Sequence, residues 1–221
     1  VLHDLAWAAY SIGKVDDARG AMERCLKASP EPATADDAKS FLALTSLDTP
    51  PAADLKSVVE AKLQKDAQYV PALMAAANLD AQSGAKPTAI ERYQQVLQRF
   101  PDFGPAQYHL AALYAEDPAR FAEAQDLASK ARKSRPDDPA VSQLLGQLSF
   151  QRKDYSRALQ LLQESGRKKP LDATGLYYLG MSFKEKGQAV QAAETLAAAL
   201  SAGLPAALEA EARQALAETK K

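Results

Sequence analysis

One interval governs this chain: an alanine set in an apolar segment returns at Ala18, Ala89, Ala124, Ala158 and Ala192, at separations of 71, 35, 34 and 34 residues. Prolines that close the same segments keep step at Pro30, Pro101, Pro136 and Pro170, spaced by 71, 35 and 34. The 71 reads as two periods enclosing one degenerate unit. A period of roughly 20–50 residues means that each unit is one supersecondary element with an apolar face it cannot cover alone, so neighbours must stack. Alanine and leucine dominate the apolar residues, aromatics make up only 7% of the chain and β-branched residues are sparse, which makes the repeated element helical.

Each unit follows one internal order: an apolar helix with a small residue near its middle, a tight turn, a second helix, then a proline that stops it. The best-formed unit reads GLYYLGMSFKEKGQAVQAAETLAAAL, with Leu179 and Gly180 in the first helix, Phe183 a turn later, Gly187 in the turn, then Ala192, Leu196 and Ala199. Leu5, Ala6, Gly13, Ala18, Met22 and Cys25 repeat this order. So do Ala76, Ala77, Gly84, Ala89, Tyr93 and Val96, then Leu110, Ala111, Tyr114, Ala124, Ala128 and Ala131, and finally Leu145, Gly146, Ala158 and Leu162. These residues resemble the tetratricopeptide repeat signature. The resemblance implies an all-α, right-handed superhelical solenoid of antiparallel helix pairs. Six hairpins fill residues 1–203, approximately 1–33, 34–69, 70–103, 104–138, 139–172 and 173–204, and residues 205–221 form a C-terminal capping helix. Small residues are needed where paired helices cross, while Leu, Tyr and Phe fill the gaps between.

The second unit departs most. Leu42 and Ala43 fit its first helix, but Pro50 and Pro51 replace the glycine turn, which predicts a longer, stiffer elbow. Asp138, Asp172 and Thr34 read as helix N-caps, and the pairs Asp16–Asp17, Asp36–Asp37 and Asp137–Asp138 as groups serving backbone amides at turns and helix starts. The chain looks helical from Leu2 with no cap before it, which reads as a piece of a longer protein.

Several chemistries are disfavoured. A net charge of -1 without a basic face argues against nucleic acid. The clusters Lys130–Arg132–Lys133–Arg135 and Arg167–Lys168–Lys169 fall at helix C-termini, where cations complement the dipole. No stretch is apolar enough to insert in a membrane. His3 and His109 have no second ligand at motif spacing, Cys25 falls where a small packed residue is wanted, and phosphate-loop, zinc and serine-hydrolase signatures are missing. No cofactor, metal or catalytic role is expected.

In solenoids of this family, peptide ligands lie on the concave surface formed by first helices. The resemblance therefore implies a groove lined by Trp7, Tyr10, Met74, Asn78, Gln82, Tyr108, Gln143, Gln147, Phe150, Tyr177, Met181 and Lys184, with His3, Ser40, Leu44, Ala112 and Gln151 beside them. The set mixes aromatic anchors with amides and methionines, which suits a peptide that buries a few side chains while amides bond its backbone. The basic clamp by which some relatives hold chaperone tails is lacking, since Asn78 is the sole asparagine and its neighbours are Met74 and Gln82. The expectation is a protein or peptide-binding scaffold. Alternatives are a docking or regulatory arm of a longer bacterial enzyme or polysaccharide export assembly, and a module that self-associates end to end. The composition looks bacterial and leaves cytoplasm and periplasm open.

Overall fold

The structure is a computed structural model that describes residues 1–46 and 52–219, and among these every regular element is helical. The helices are α1 (Leu2–Ser11), α2 (Val15–Lys27), α3 (Pro32–Leu44), α4 (Ala52–Lys65), α5 (Val70–Gln82), α6 (Lys86–Arg99) and α7 (Gly104–Tyr114). A 3-10 turn at Pro118–Arg120 leads into α8 (Phe121–Ser134), α9 (Pro139–Gln151), α10 (Tyr155–Lys168), α11 (Ala173–Glu185), α12 (Ala189–Ser201) and α13 (Ala206–Glu218). They form two compact units, Val1–Asp117 and Pro118–Lys221, and the boundary falls in the turn built on Asp117 and Pro118.

Within each unit, helices pair because small residues let their backbones approach. Ala18, Ala89, Ala124, Ala158 and Ala192 are all fully buried. A Cβ placed on Gly146 would stand 2.6 Å from Leu162 Cγ, and one on Gly180 would stand 2.8 Å from Leu196 Cγ and 3.1 Å from the Leu196 backbone nitrogen. No side chain fits at either crossing unless the facing leucine gives way, and at Gly180 the backbone of α12 is tight as well.

Four of the turns within helix pairs share one hydrogen-bond pattern. After α1 the amide of Lys14 donates to Ala9, after α5 Ala85 donates to Asp80, after α9 Asp154 donates to Ser149, and after α11 Gln188 donates to Phe183. Each such bond satisfies a carbonyl left over at the helix end and requires a left-handed residue just before the donor. Gly13, Gly84 and Gly187 supply it at φ 80°, 82° and 72°, but the third of these turns uses Lys153 at φ 63°. A lysine pays a steric penalty there that glycine avoids. Lys153→Gly is therefore expected to stabilise the α9–α10 pair by about 1 kcal/mol, read as a rise in urea midpoint; no change or a fall would contradict the shared turn geometry.

Asp138 and Asp172 cap as expected: the Asp138 carboxylate accepts from the amides of Ala140 (2.8 Å) and Val141 (3.4 Å), and Asp172 accepts from Gly175 (2.8 Å). Thr34 does not cap. α3 begins two residues earlier, at Pro32, whose fixed φ suits a first helical position. Its inner face is also set differently from the reading that used Leu42 and Ala43. Ala38 and Phe41 are fully buried and Ala43 is exposed, because the bulky Phe41 takes the inside and carries the i, i+3 stripe from Ala38 to Leu44 with it. The proposed elbow at Pro50 and Pro51 lies outside the described residues.

Unit 1 closes round an aromatic cluster. Tyr10 packs on Phe41 (ring centroids 5.0 Å) and on Phe103 (4.9 Å) at the entry to α7, while Trp7 packs edge-on against Phe41 (5.5 Å) and Tyr69 (5.4 Å). In unit 2, α13 lies over α11 and α12. Its Ala212 and Ala215 join Tyr177, Met181, Leu196, Ala199 and Leu204 in one buried cluster, edged by Leu208 and Leu216.

Candidate polypeptide-binding face

The inner side of unit 1 is organised by Asp37. It does not cap a backbone, as the Asp36–Asp37 pair suggested, but sits inside α3 and faces α1 and α4. His3 Nε2 lies 2.8 Å and Trp7 Nε1 3.2 Å from Asp37 Oδ2, and Lys62 Nζ lies 3.3 Å from Oδ1. The Tyr69 hydroxyl faces the same carboxylate, and the Lys62 ammonium stands 4.1 Å over the Tyr69 ring. Desolvation pushes the Asp37 pKa up, but the hydrogen bonds from His3 and Trp7, the facing Tyr69 hydroxyl and the charge of Lys62 together outweigh it and hold the carboxyl below its ordinary value. Burial, with Asp37 adding to it, pushes the Tyr69 phenol up.

The twelve residues expected to line a groove fall into three groups. Tyr10, Met74, Tyr177 and Met181 are closed off from solvent, at 2%, 8%, 2% and 5% exposure, and do not line an open surface. Burial against neighbouring helices is the reason: Tyr10 belongs to the aromatic cluster, and α13 covers Tyr177 and Met181. A second group is partly exposed but engaged within the fold. Trp7 donates to Asp37, Asn78 Oδ1 accepts from the Tyr93 hydroxyl at 2.7 Å, Gln143 donates to Asp172 at 3.0 Å and packs over Gly175, and Lys184 pairs with Glu218 at 2.6 Å. The third group remains at the surface: Gln82 is exposed, and Tyr108, Gln147 and Phe150 are half-buried. His109, beside Tyr108 on α7, stacks on Tyr93 with centroids 5.5 Å apart.

In unit 2 the surface residues converge. Phe150 on α9 packs on Tyr178 of α11 with ring centroids 5.4 Å apart, and on Tyr155 at the same distance. Gln151 Nε2 donates to the Tyr178 hydroxyl at 3.4 Å, and Gln147 lies one turn back along α9. Tyr178 was missed because Tyr177 fits the inward register of the repeat. Only the covering helix α13 shows that the first tyrosine of the pair is core and the second is surface. Cys25 is buried and carries no disulfide.

The basic clusters act within unit 2 as fasteners. Arg132 Nη2 donates to both carboxylate oxygens of Glu164 at 2.7 and 3.0 Å, Lys168 pairs with Asp137 at 2.7 Å, and Arg135 pairs with Asp138. Among the described residues no group of three metal-ligating side chains converges, and no helix is long and apolar enough to cross a membrane.

Paired helices joined by one recurrent turn, with small residues at each crossing, define a helical-repeat scaffold of the protein-interaction kind. The tetratricopeptide repeat description is matched over residues 81–148 and 117–176 by one of its forms, and over residues 1–32 and 174–202 by another. The chain belongs to the tetratricopeptide repeat family. No curated protein matches it significantly. Among solved structures it is similar to PilW, a widely conserved type IV pilus biogenesis factor (TM-score 0.61, 19% identity, covering 83% of this chain and 89% of PilW). It is also similar to PilF of Pseudomonas aeruginosa (0.58, 15%, covering 88% and 87%) and to YrrB, a repeat protein with an unusual peptide-binding site (0.57, 19%, covering 73% and 81%). At these identities the likeness is one of fold.

Proposed function

We propose that this protein holds a segment of a partner polypeptide on the face that α9 and α11 present in unit 2. The observation that carries the reading is the half-buried Phe150–Tyr178 ring pair, with centroids 5.4 Å apart, bordered by the amides of Gln147 and Gln151. Aromatic rings held in place by packing offer a large contact area at low entropy cost, and amides alongside them can bond the backbone of an extended segment. YrrB, with its peptide-binding site, is a precedent in the same fold. A photo-reactive side chain at Gln151 is expected to crosslink to polypeptide in cells, whereas one at Gln163, exposed on α10, is not. Equal crosslinking at both positions would sink this placement.

Self-association is a second reading, favoured by one observation. Leu5 on α1 and Ile12 just after it are 51% and 50% exposed, and with Ala8 and Ala9 they form the apolar side of an open cavity of about 560 Å³ whose other side carries Lys14, Asp16, Asp17 and Arg24. Light scattering across a concentration series distinguishes the two readings: Leu5→Glu with Ile12→Glu abolishes any mass increase on the second reading and leaves peptide capture untouched on the first.

A further inference from the structure

We infer that unit 1 carries a separate site for an acidic side chain of an extended peptide, whose carboxylate enters a cup where α4 and α6 end and whose backbone crosses a glutamine-lined cleft beside it. The cup has a volume of about 380 Å³ and is walled by the rings of Trp7, Tyr69 and Phe100, with Lys62, Lys65 and Arg99 supplying positive charge. The cleft, of about 530 Å³, is lined by Gln68, Gln95 and Gln98 with Leu73 at its floor, and it shares Gln68 and Arg99 with the cup.

The charges decide the ligand. Two carboxylates also border the cup: Asp37 is engaged by His3, Trp7 and Lys62, while Asp66 Oδ1 accepts from the Gln68 backbone amide at 2.9 Å and keeps its charge, so Lys62, Lys65 and Arg99 leave the cup with one positive charge in excess. Lys62 is committed in turn to Asp37 and to the Tyr69 ring. Lys65 and Arg99 make no ion pair among the described residues, and both are exposed at the rim. A position in the last turn of a helix is enough to account for a lysine or arginine there. It does not account for aromatic walls around those cations or for three glutamines along the adjoining cleft. A carboxylate beside Lys65 and Arg99, its carbon stem against Trp7 and Phe100, and a backbone bonded by glutamine amides would use the cations, the rings and the glutamines of the lining. The cations come from the ends of second helices, and the site stands independently of the α9–α11 face.

The test is a positional-scanning library of N-acetylated, C-amidated hexapeptides, one position fixed and the rest randomised. It is measured against the wild-type chain and against a Lys65→Gln, Arg99→Gln variant whose circular dichroism and melting match wild type. Pools fixed as Glu or Asp are expected to bind at least about tenfold more tightly than pools fixed as Gln or Asn. That preference should vanish in the double variant and in high salt, and persist in a Phe150→Ala, Tyr178→Ala variant. The inference is overturned if no pool shows an acidic preference, if the double variant keeps it, if it is lost instead with Phe150 and Tyr178, or if only peptides with a free C-terminal carboxylate bind.

Discussion

Deleting residues 205–221 is expected to unfold α11 and α12 while α9 and α10 stay paired. Without α13, the cluster of Tyr177, Met181, Leu196, Ala199 and Leu204 loses its cover. Each large apolar side chain is worth roughly 1.5–3 kcal/mol on full burial, so partial exposure of four of them costs on the order of 5 kcal/mol. That is comparable to the whole stability of a small domain. Repeat arrays lose stability locally, because each element contacts only its neighbours, so the loss should stop near the α10–α11 contact. Hydrogen exchange is the measurement: amides of α11 and α12 should lose protection in the truncated chain while those of α9 and α10 retain most of theirs. Unchanged protection in α11 would show that α13 is dispensable.

Phe41→Ala should be the most damaging single substitution in unit 1. Phe41 is fully buried, with the Trp7 ring centroid at 5.5 Å and that of Tyr10 at 5.0 Å, so its removal strips two rings of a packing partner. Substitutions of this kind cost about 3–5 kcal/mol. Trp7 is the sole tryptophan, so its fluorescence in a urea titration reports unit 1 directly. Phe150→Ala, at a half-buried site in unit 2, should leave that transition where it was. A shift of under about 1 kcal/mol for Phe41→Ala would contradict the aromatic cluster. The same transition should depend on acid. The Asp37 pKa is lowered in the folded chain, so its contribution is complete above the ordinary carboxylate range, near about pH 4, and is lost as pH falls through the lowered value. Asp37→Asn should flatten that acid limb.

The repeat was legible in the sequence because its signal is backbone geometry: a small residue at the crossings, a left-handed residue in four of the turns and a proline stop after most of the second helices. Even Lys153, which breaks the glycine rule, keeps the hydrogen bond between Asp154 and Ser149. The surface was less legible, because inward-facing positions of a repeat are divided by their neighbours into core and open face. Tyr177 and Tyr178 are adjacent in sequence, yet α13 buries the first and leaves the second beside Phe150. Asp37 was invisible for a related reason. Its partners His3, Trp7 and Lys62 lie 34, 30 and 25 residues away, and no local pattern announces a carboxylate shared across three helices.

The most direct test of the account is a peptide-display selection on the immobilised chain carrying Lys65→Gln and Arg99→Gln, with each selected sequence then measured by fluorescence anisotropy against that chain and against a variant that also carries Phe150→Ala and Tyr178→Ala. The account predicts a family of related sequences whose binding to the variant falls by at least about tenfold, roughly 1.4 kcal/mol, while the Trp7 urea transition of the variant is unchanged. With Lys65→Gln and Arg99→Gln present in both chains so that the unit 1 site is silent, selected peptides that bind equally with and without Phe150 and Tyr178, or a selection that enriches no sequence, would contradict a polypeptide-binding face on α9 and α11.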